Sequence, residues 1–361
     1  MKTLKSLLML CAGLSFCACN SDNEPQFPEG NGEVVVKIVP PTVSTRAPQT
    51  ATAGSTVQIT GTYTITLTAS SGVQTETFTQ EDWSNKEFQH TFTGVTNPIK
   101  VQVAINEGKA SYTADEISNL QQLPASIPAY GETETFTPGE PVENGNKSTI
   151  TYTANVKMAI PVARLEIGNI TFHKEGSLFE TLTVGGVYLD KLRDNGSLYS
   201  STSFASQGTA TLNYQFGTTE NEFGSGKKYI LGDAVGSNFI GAGAVAALPS
   251  AETVYAYNFF GATPNASDVA NNPVFKIYFS NSKLTSEGSG IARYAMITKY
   301  KSSQNGDPIT LENGKVYKIV GAELSDANII NDEENNTQYE VAVTVEEAQW
   351  TVATTYVDWA Q

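Results

Sequence analysis

The most constraining feature of this chain is a two-residue alternation that recurs along much of its length. Between Ile59 and Thr68, threonines occupy positions 60, 62, 64, 66 and 68, while Ile59, Tyr63, Ile65 and Leu67 fill apolar positions between them. A strand turns successive side chains to opposite faces, so this pattern predicts a half-buried antiparallel strand with a threonine-covered solvent face. Phe88, His90 and Phe92 alternate with Gln89, Thr91 and Thr93 in the same way, and Ile99, Val101, Val103 and Ile105 alternate with Lys100, Gln102 and Asn106. Further strands are expected at 148–158, 162–172, 179–189, 209–214, 227–231, 253–259, 273–279, 291–298 and 315–323, most of them separated by turn residues. Helical periodicity is confined to a short stretch from Ala114 to Gln122. Many short strands at this spacing predict an all-β chain built of β-sandwiches.

A chain of 361 residues exceeds what one hydrophobic core ordinarily serves, so two domains are expected. The segment from Gly131 to Lys147 is rich in Gly, Pro, Glu and Asn and predicts a long loop. The boundary is placed just after it, near Pro161. With 22 basic and 37 acidic residues the net charge is -15, which argues against a nucleic-acid partner, since that would need a basic footprint. Charged residues make up 16% of the chain, below the roughly 25% of an average protein, so Thr, Ser, Asn and Gln carry most of its polarity.

Both ends of the chain carry information of another kind. The cysteines are Cys11, Cys17 and Cys19, so nothing after residue 19 can form a disulfide or a thiolate metal site. Lys2 and Lys5 precede an apolar stretch, Leu7 to Phe16, that is too short to span a bilayer and reads as a signal peptide. Ala18-Cys19 is the pairing that lipoprotein processing requires, whereas Cys17 follows bulky Phe16; ordinary secretion with incidental cysteines is the alternative. Residues 20–32 read as a polar tether. Glu33 to Val39 then reads as a strand, with Val34, Val36 and Ile38 on one face, closed by Pro40-Pro41. After it, Arg46 stands in a small, Pro-flanked stretch where an Arg-specific protease would cut before Ala47. Three other arginines follow, Arg164, Arg193 and Arg293.

At the other end, Asp332 to Asn336 form a polar break. Tyr339, Val341, Val343 and Val345 alternate with polar and small residues, and a second run places Trp350, Val352, Thr354 and Tyr356 on one face. Such a tail can fold back as the last strands of its own sandwich, or extend outwards and complete another molecule.

Catalytic signals are weak. Gly241 to Ala246 matches a relaxed dinucleotide fingerprint, but Pro249 would interrupt the helix that the motif needs, so it reads as a small-residue loop. Gly226-Lys227-Lys228 lacks the rest of a P-loop, and no nucleophile elbow is present. His90 and His173 sit in or beside strand patterns and read as structural, which with no cysteine after residue 19 argues against zinc. Asp332 to Glu334 lack the ligand spacing of a calcium loop. Neither an enzyme nor a cofactor is expected.

Taken in order, these features resemble the fimbrillin family, the subunits of type V pili in Bacteroidales. The pieces that carry the likeness are the lipoprotein signal ending at Cys19, the Arg46-Ala47 cleavage point, Val162-Ala163-Arg164-Leu165-Glu166-Ile167, Glu312-Asn313-Gly314-Lys315-Val316-Tyr317-Lys318-Ile319, and the tail with Val341, Thr344, Val345 and Trp350. The resemblance implies two tandem transthyretin-like β-sandwich domains. It implies a signal peptide over 1–18, a propeptide over 19–46, an N-terminal domain over 47–160 and a C-terminal domain over 161–361. It further implies a precursor anchored in the outer membrane through lipid on Cys19. An Arg-specific or trypsin-like protease would then remove the segment carrying Val34, Val36 and Ile38. Residues 332–361 would act as the donor strand, with Tyr339, Val341, Val343, Val345, Trp350, Val352 and Tyr356 filling the vacated groove of another copy. Copies of the chain and fimbrial tip or anchor subunits are the implied partners. A tip would be expected to lack the donor tail and an anchor the cleavage arginine, so a stalk position is favoured over an accessory one. A monomeric surface lipoprotein that binds glycans is the competing expectation; it would keep its lipid and show an exposed aromatic platform.

Overall fold

In the computed structural model the described residues are 32–38, 42–44, 56–58, 61–79, 81–82, 89–122, 126–144, 147–193, 195–197, 221–223, 227–229, 231–240, 248–249, 254–262, 267–301, 306–320, 322–331 and 344–349. In chain order the strands begin with β1 (Gly32–Ile38), β2 (Thr42–Ser44), β3 (Thr56–Gln58), β4 (Tyr63–Ala69), β5 (Gly72–Phe78), β6 (Gln89–Val95) and β7 (Pro98–Ile105). They continue with β8 (Ser111–Thr113), β9 (Ala129–Thr133), β10 (Thr137–Pro138), β11 (Val142–Asn144), β12 (Lys147–Thr149), β13 (Thr151–Val156) and β14 (Ala163–Gly168). Next come β15 (Thr171–Phe172), β16 (Phe179–Asp190), β17 (Asn195–Ser197), β18 (Asn221–Phe223), β19 (Lys227–Tyr229), β20 (Gly232–Ile240) and β21 (Tyr255–Phe259). The last are β22 (Val274–Leu284), β23 (Ile291–Ile297), β24 (Lys315–Val320), β25 (Glu323–Leu324) and β26 (Thr344–Gln349).

Four sheets of four strands carry the all-β fold. The first half of the chain supplies the orders β10-β13-β1-β6 and β5-β4-β7-β9, and the second half supplies β21-β14-β24-β26 and β20-β16-β22-β23. The alternation dictates how they pack. Tyr63, Ile65 and Leu67 of β4 and Val101, Val103 and Ile105 of β7 are fully buried, and they meet Val34, Val36, Tyr152, Ala154 and Val156 of the facing sheet in one cluster. The threonines of β4 face outward, where Thr64 and Thr66 pair with Thr77 and Thr75 of β5 through hydroxyl contacts of 3.4 and 3.2 Å. Ile99 departs from the expected row: it is 51% exposed, because the register of β4 against β7 shifts between Thr68 and Ala69.

Two expectations need correction. The stretch from Gly131 to Lys147 is no single loop, since it holds the end of β9, the two-residue β10 and the β11–β12 hairpin. Pro138 is tolerated there because β10 is an edge strand, where a missing N–H costs no ladder bond. The short helix is a 3₁₀ helix, Ala114–Leu120. Around Pro161 the chain is buried: Met158, Ile160 and Val162 are 0–3% exposed, and one cluster of buried apolar side chains runs continuously from the first pair of sheets into the second. Strand β20 was absent from the sequence expectations. Its Gly, Asp, Ser and Asn are poor strand formers, and it is held by a bulged antiparallel ladder to the twelve-residue β16. The expected strand at 209–214 and the Gly241 to Ala246 segment lie outside the described residues.

Candidate functional site

Strand β1 is an interior strand. It runs parallel to β13 in the register Val34↔Tyr152, Val36↔Ala154 and Ile38↔Val156. On its other side it runs antiparallel to β6, with Val34↔Phe92 and Val36↔His90. The Glu33 N–H extends the β13 side by donating to Ile150 O at 3.0 Å. Val34 and Val36 are fully buried, Val35 is half-buried and Lys37 is exposed, as the alternation requires. Without this strand, β13 and β6 would be left as two walls, about 9.5 Å apart at the usual inter-strand spacing. These walls run antiparallel to each other, so a strand entering in either direction is parallel to one and antiparallel to the other. The inward side chains of the walls are largely apolar: Phe92 of β6 and Tyr152, Ala154 and Val156 of β13 are at most 4% exposed. His90 packs its ring against Phe78 and Phe92, with centroids 5.1 and 4.6 Å away, which gives it a packing role.

At the other end of the chain, β26 pairs antiparallel with β24 in the register Val320↔Thr344, Ile319↔Val345 and Lys315↔Gln349. It is the edge strand of its sheet. Of the two readings open for the tail, the folded-back one describes Thr344–Gln349. The segment leading to the tail is pinned at Ile330, which exchanges two 2.8 Å backbone hydrogen bonds with Tyr294, and at Asn331, whose Oδ1 accepts from Arg293 Nε at 2.8 Å. Cys19, Arg46, Ala47, Tyr339, Val341, Val343, Trp350, Val352 and Tyr356 lie outside the described residues.

The two internal motifs meet. Strands β14 and β24 are neighbours in parallel register, with Arg164↔Val316 and Glu166↔Lys318. The turn before β24 is built by Asn313 and Gly314. Asn313 accepts from the Gly261 N–H through Oδ1 at 2.8 Å, and Gly314 takes φ +76°, a left-handed conformation that suits glycine. The Gly314 N–H then donates to Val162 O at 2.9 Å, fastening one motif to the other.

Both faces of β14 are buried, so its polar residues must satisfy one another. Glu166 accepts from Arg164 Nε at 2.8 Å and pairs with Lys318 Nζ at 3.3 Å. Arg164 Nη1 also donates to Asn258 Oδ1 at 3.2 Å. Asn258, fully buried on the edge strand β21, is met from the first half of the chain by Gln121. The Gln121 amide accepts from the Asn258 N–H at 2.9 Å and donates to its carbonyl at 2.7 Å, substituting for a neighbouring strand. Asn258 Nδ2 returns a 2.7 Å bond to Leu120 O. Gln121 and Asn258 carried no sequence signal, because they are ordinary amides 137 positions apart. Elsewhere in this half, Tyr257 donates to Asp233 at 2.5 Å. Burial, then the charge of Asp233, pushes that hydroxyl well above its ordinary pKa and keeps it a donor.

The arginine inventory bears on processing. Arg164, Arg193 and Arg293 are 5%, 7% and 3% exposed, and each is ion-paired, with Glu166, Asp268 and Glu287 respectively. Exposed lysines are available in turns, among them Lys174 and Lys191. An Arg-specific protease acting on the folded chain is therefore expected to give one new N-terminus, Ala47, whereas trypsin adds cuts at such lysines; N-terminal sequencing of the fragments checks this. An additional early cut at Arg164, Arg193 or Arg293 would contradict it. Among the described residues, no group of three or more His, Cys, Asp or Glu could hold a metal ion, and no helix is long and apolar enough to cross a membrane.

No protein-family signature matches the chain, and no curated protein matches it. Solved structures do. A candidate cell adhesion protein from Bacteroides eggerthii is 16% identical with a TM-score of 0.52, over 90% of this chain and 98% of that one. A candidate cell adhesion protein from Parabacteroides distasonis is 9% identical with a TM-score of 0.47, over 92% of this chain and all 100% of that one. A fimbrial assembly protein from the same species is 13% identical with a TM-score of 0.33, over 88% and 99% of the two chains. The chain thus shares the fold of the Bacteroides eggerthii protein across nearly its whole length.

Proposed function

We propose that this chain is a structural subunit of a cell-surface fimbria, serving adhesion or biofilm formation, and that it polymerises by donor-strand exchange. The observation that carries the reading is the interior position of β1, because it sits upstream of Arg46 and its loss opens a two-walled apolar slot. Its fold, shared with a protein named for cell adhesion, supports the same role. In this reading the precursor reaches the outer membrane with lipid on Cys19. Arg-specific cleavage between Arg46 and Ala47 removes lipid and β1 together. The mature subunit has domains over 47–160 and 161–361, joined rigidly by the Gln121–Asn258 contact. Its tail, 332–361, fills the slot of the next copy, while tip and anchor subunits close the ends. A head-to-tail contact of this kind does not close on itself, so it gives a filament.

The slot can be tested without a protease. Val36→Asp places a carboxylate among apolar side chains with no partner, which disfavours β1 in its place by several kcal/mol. The uncleaved variant is expected to lose amide protection across residues 33–37 and to bind an added synthetic peptide of residues 332–361 that wild type does not, as read by hydrogen exchange and size-exclusion chromatography. A variant whose β1 amides exchange freely yet binds no peptide would count against the slot as an acceptor.

A further inference from the structure

Two strands, not one, lie upstream of Arg46. β1 occupies the slot. β2 pairs antiparallel with β3 in the register Thr42↔Gln58, Val43↔Val57 and Ser44↔Thr56. Cα atoms of β2 also lie within 8 Å of Cα atoms of β26, so the segment expected to be removed touches the first strand of the tail. β26 has one hydrogen-bonded neighbour in its sheet, β24. A strand held by one ladder opens more readily than an interior strand, so a second contact along it matters to how often it detaches.

We propose that residues upstream of Arg46 restrain the donor as well as the acceptor. β1 fills the slot, β2 holds β26 against its own sheet, and a single cut after Arg46 releases both. This rests on the donor-strand reading above. The arrangement has a physical use. A precursor whose tail hung free could attack the β1 slot of a neighbour by strand displacement before processing, and docking the tail against β2 suppresses that route. After the cut, β3 loses its partner and β26 is left with β24 alone.

The test is hydrogen exchange on the full uncleaved chain, comparing wild type with Val43→Pro. Proline removes the N–H of the central β2 residue and disfavours its pairing. Exchange across 344–349 is expected to become about tenfold faster in the variant, while 33–37 stay as protected as in wild type because β1 is untouched. Freshly cleaved wild type, read as monomer before it polymerises, should show the same acceleration at 344–349. Unchanged protection of 344–349 in Val43→Pro overturns the proposal. Val43→Gly, which weakens the strand without excluding it, serves if the proline variant folds poorly, with the same outcomes read. Polymer formation is scored separately: accelerated exchange at 344–349 in a cleaved protein that stays monomeric keeps the restraint and rejects the donor reading.

Discussion

Cleavage of the full chain after Arg46 is expected to convert it from monomer to polymer, and Arg46→Ala is expected to remain monomeric under the same treatment. In the proposed reading the reason is competition for one slot. While β1 is tethered, it refills the slot at the high effective concentration of an intramolecular segment, roughly millimolar for a short flexible linker. Once cut, it becomes a separate peptide that must rebind from dilute solution. The exchange then favours the longer, more aromatic competitor. β1 carries Val34, Val36 and Ile38 in alternation, with Val34 and Val36 buried, whereas the tail carries Tyr339, Val341, Val343, Val345, Trp350, Val352 and Tyr356. At about 1.5–3 kcal/mol for each large apolar side chain fully buried, even a few additional anchors are worth several kcal/mol. Both strands offer the slot walls similar main-chain hydrogen bonds, so the side chains decide. Size-exclusion chromatography and negative-stain microscopy, with the N-terminus sequenced, read the result. Equal polymerisation of treated Arg46→Ala protein would reject the processing step.

Glu166→Ala is expected to cost about 3–5 kcal/mol of folding stability. Glu166 is the shared carboxylate of a buried network. Its two oxygens meet Arg164 at 2.8 Å and Lys318 at 3.3 Å, and all three residues are at most 8% exposed. Deleting it leaves two buried cations, Arg164 and Lys318, without the carboxylate they share. A loss of this size is a large share of the 5–15 kcal/mol that holds a typical domain folded. The exposed Lys283–Glu180 pair provides the contrast. Its side chains are 33% and 43% exposed, and Glu180→Ala should cost less than about 1 kcal/mol. Urea unfolding of both variants measures the difference. A Glu166→Ala protein within about 1 kcal/mol of wild type would show that the network does not hold the second half together. Because Arg164 also binds Asn258, and Asn258 binds Gln121 and Leu120, the same variant should loosen the junction between the two halves.

Much of the fold was legible because alternation is a local property. Tyr63 to Leu67 and Val101 to Ile105 announce their inward faces through period two alone, and the structure buries those residues fully. Where local chemistry was ambiguous, the sequence misled. Ile99 continues the apolar pattern but is turned outward by a register shift that no local residue signals. β20 has little strand propensity and exists because β16 offers it a ladder.

The sequence by itself determined the all-β class, the inward faces of its strongest strands and the scarcity of arginines, since each depends on residues near one another or on a simple count. Tertiary structure alone decided that β1 is an interior strand, that β14 and β24 are neighbours, that the arginines after residue 46 are buried in ion pairs, and that β2 reaches β26. Each of these is a pairing between segments far apart in the chain. Strand partnership depends on backbone hydrogen bonds common to almost every residue, so no local pattern of side chains can name the partner.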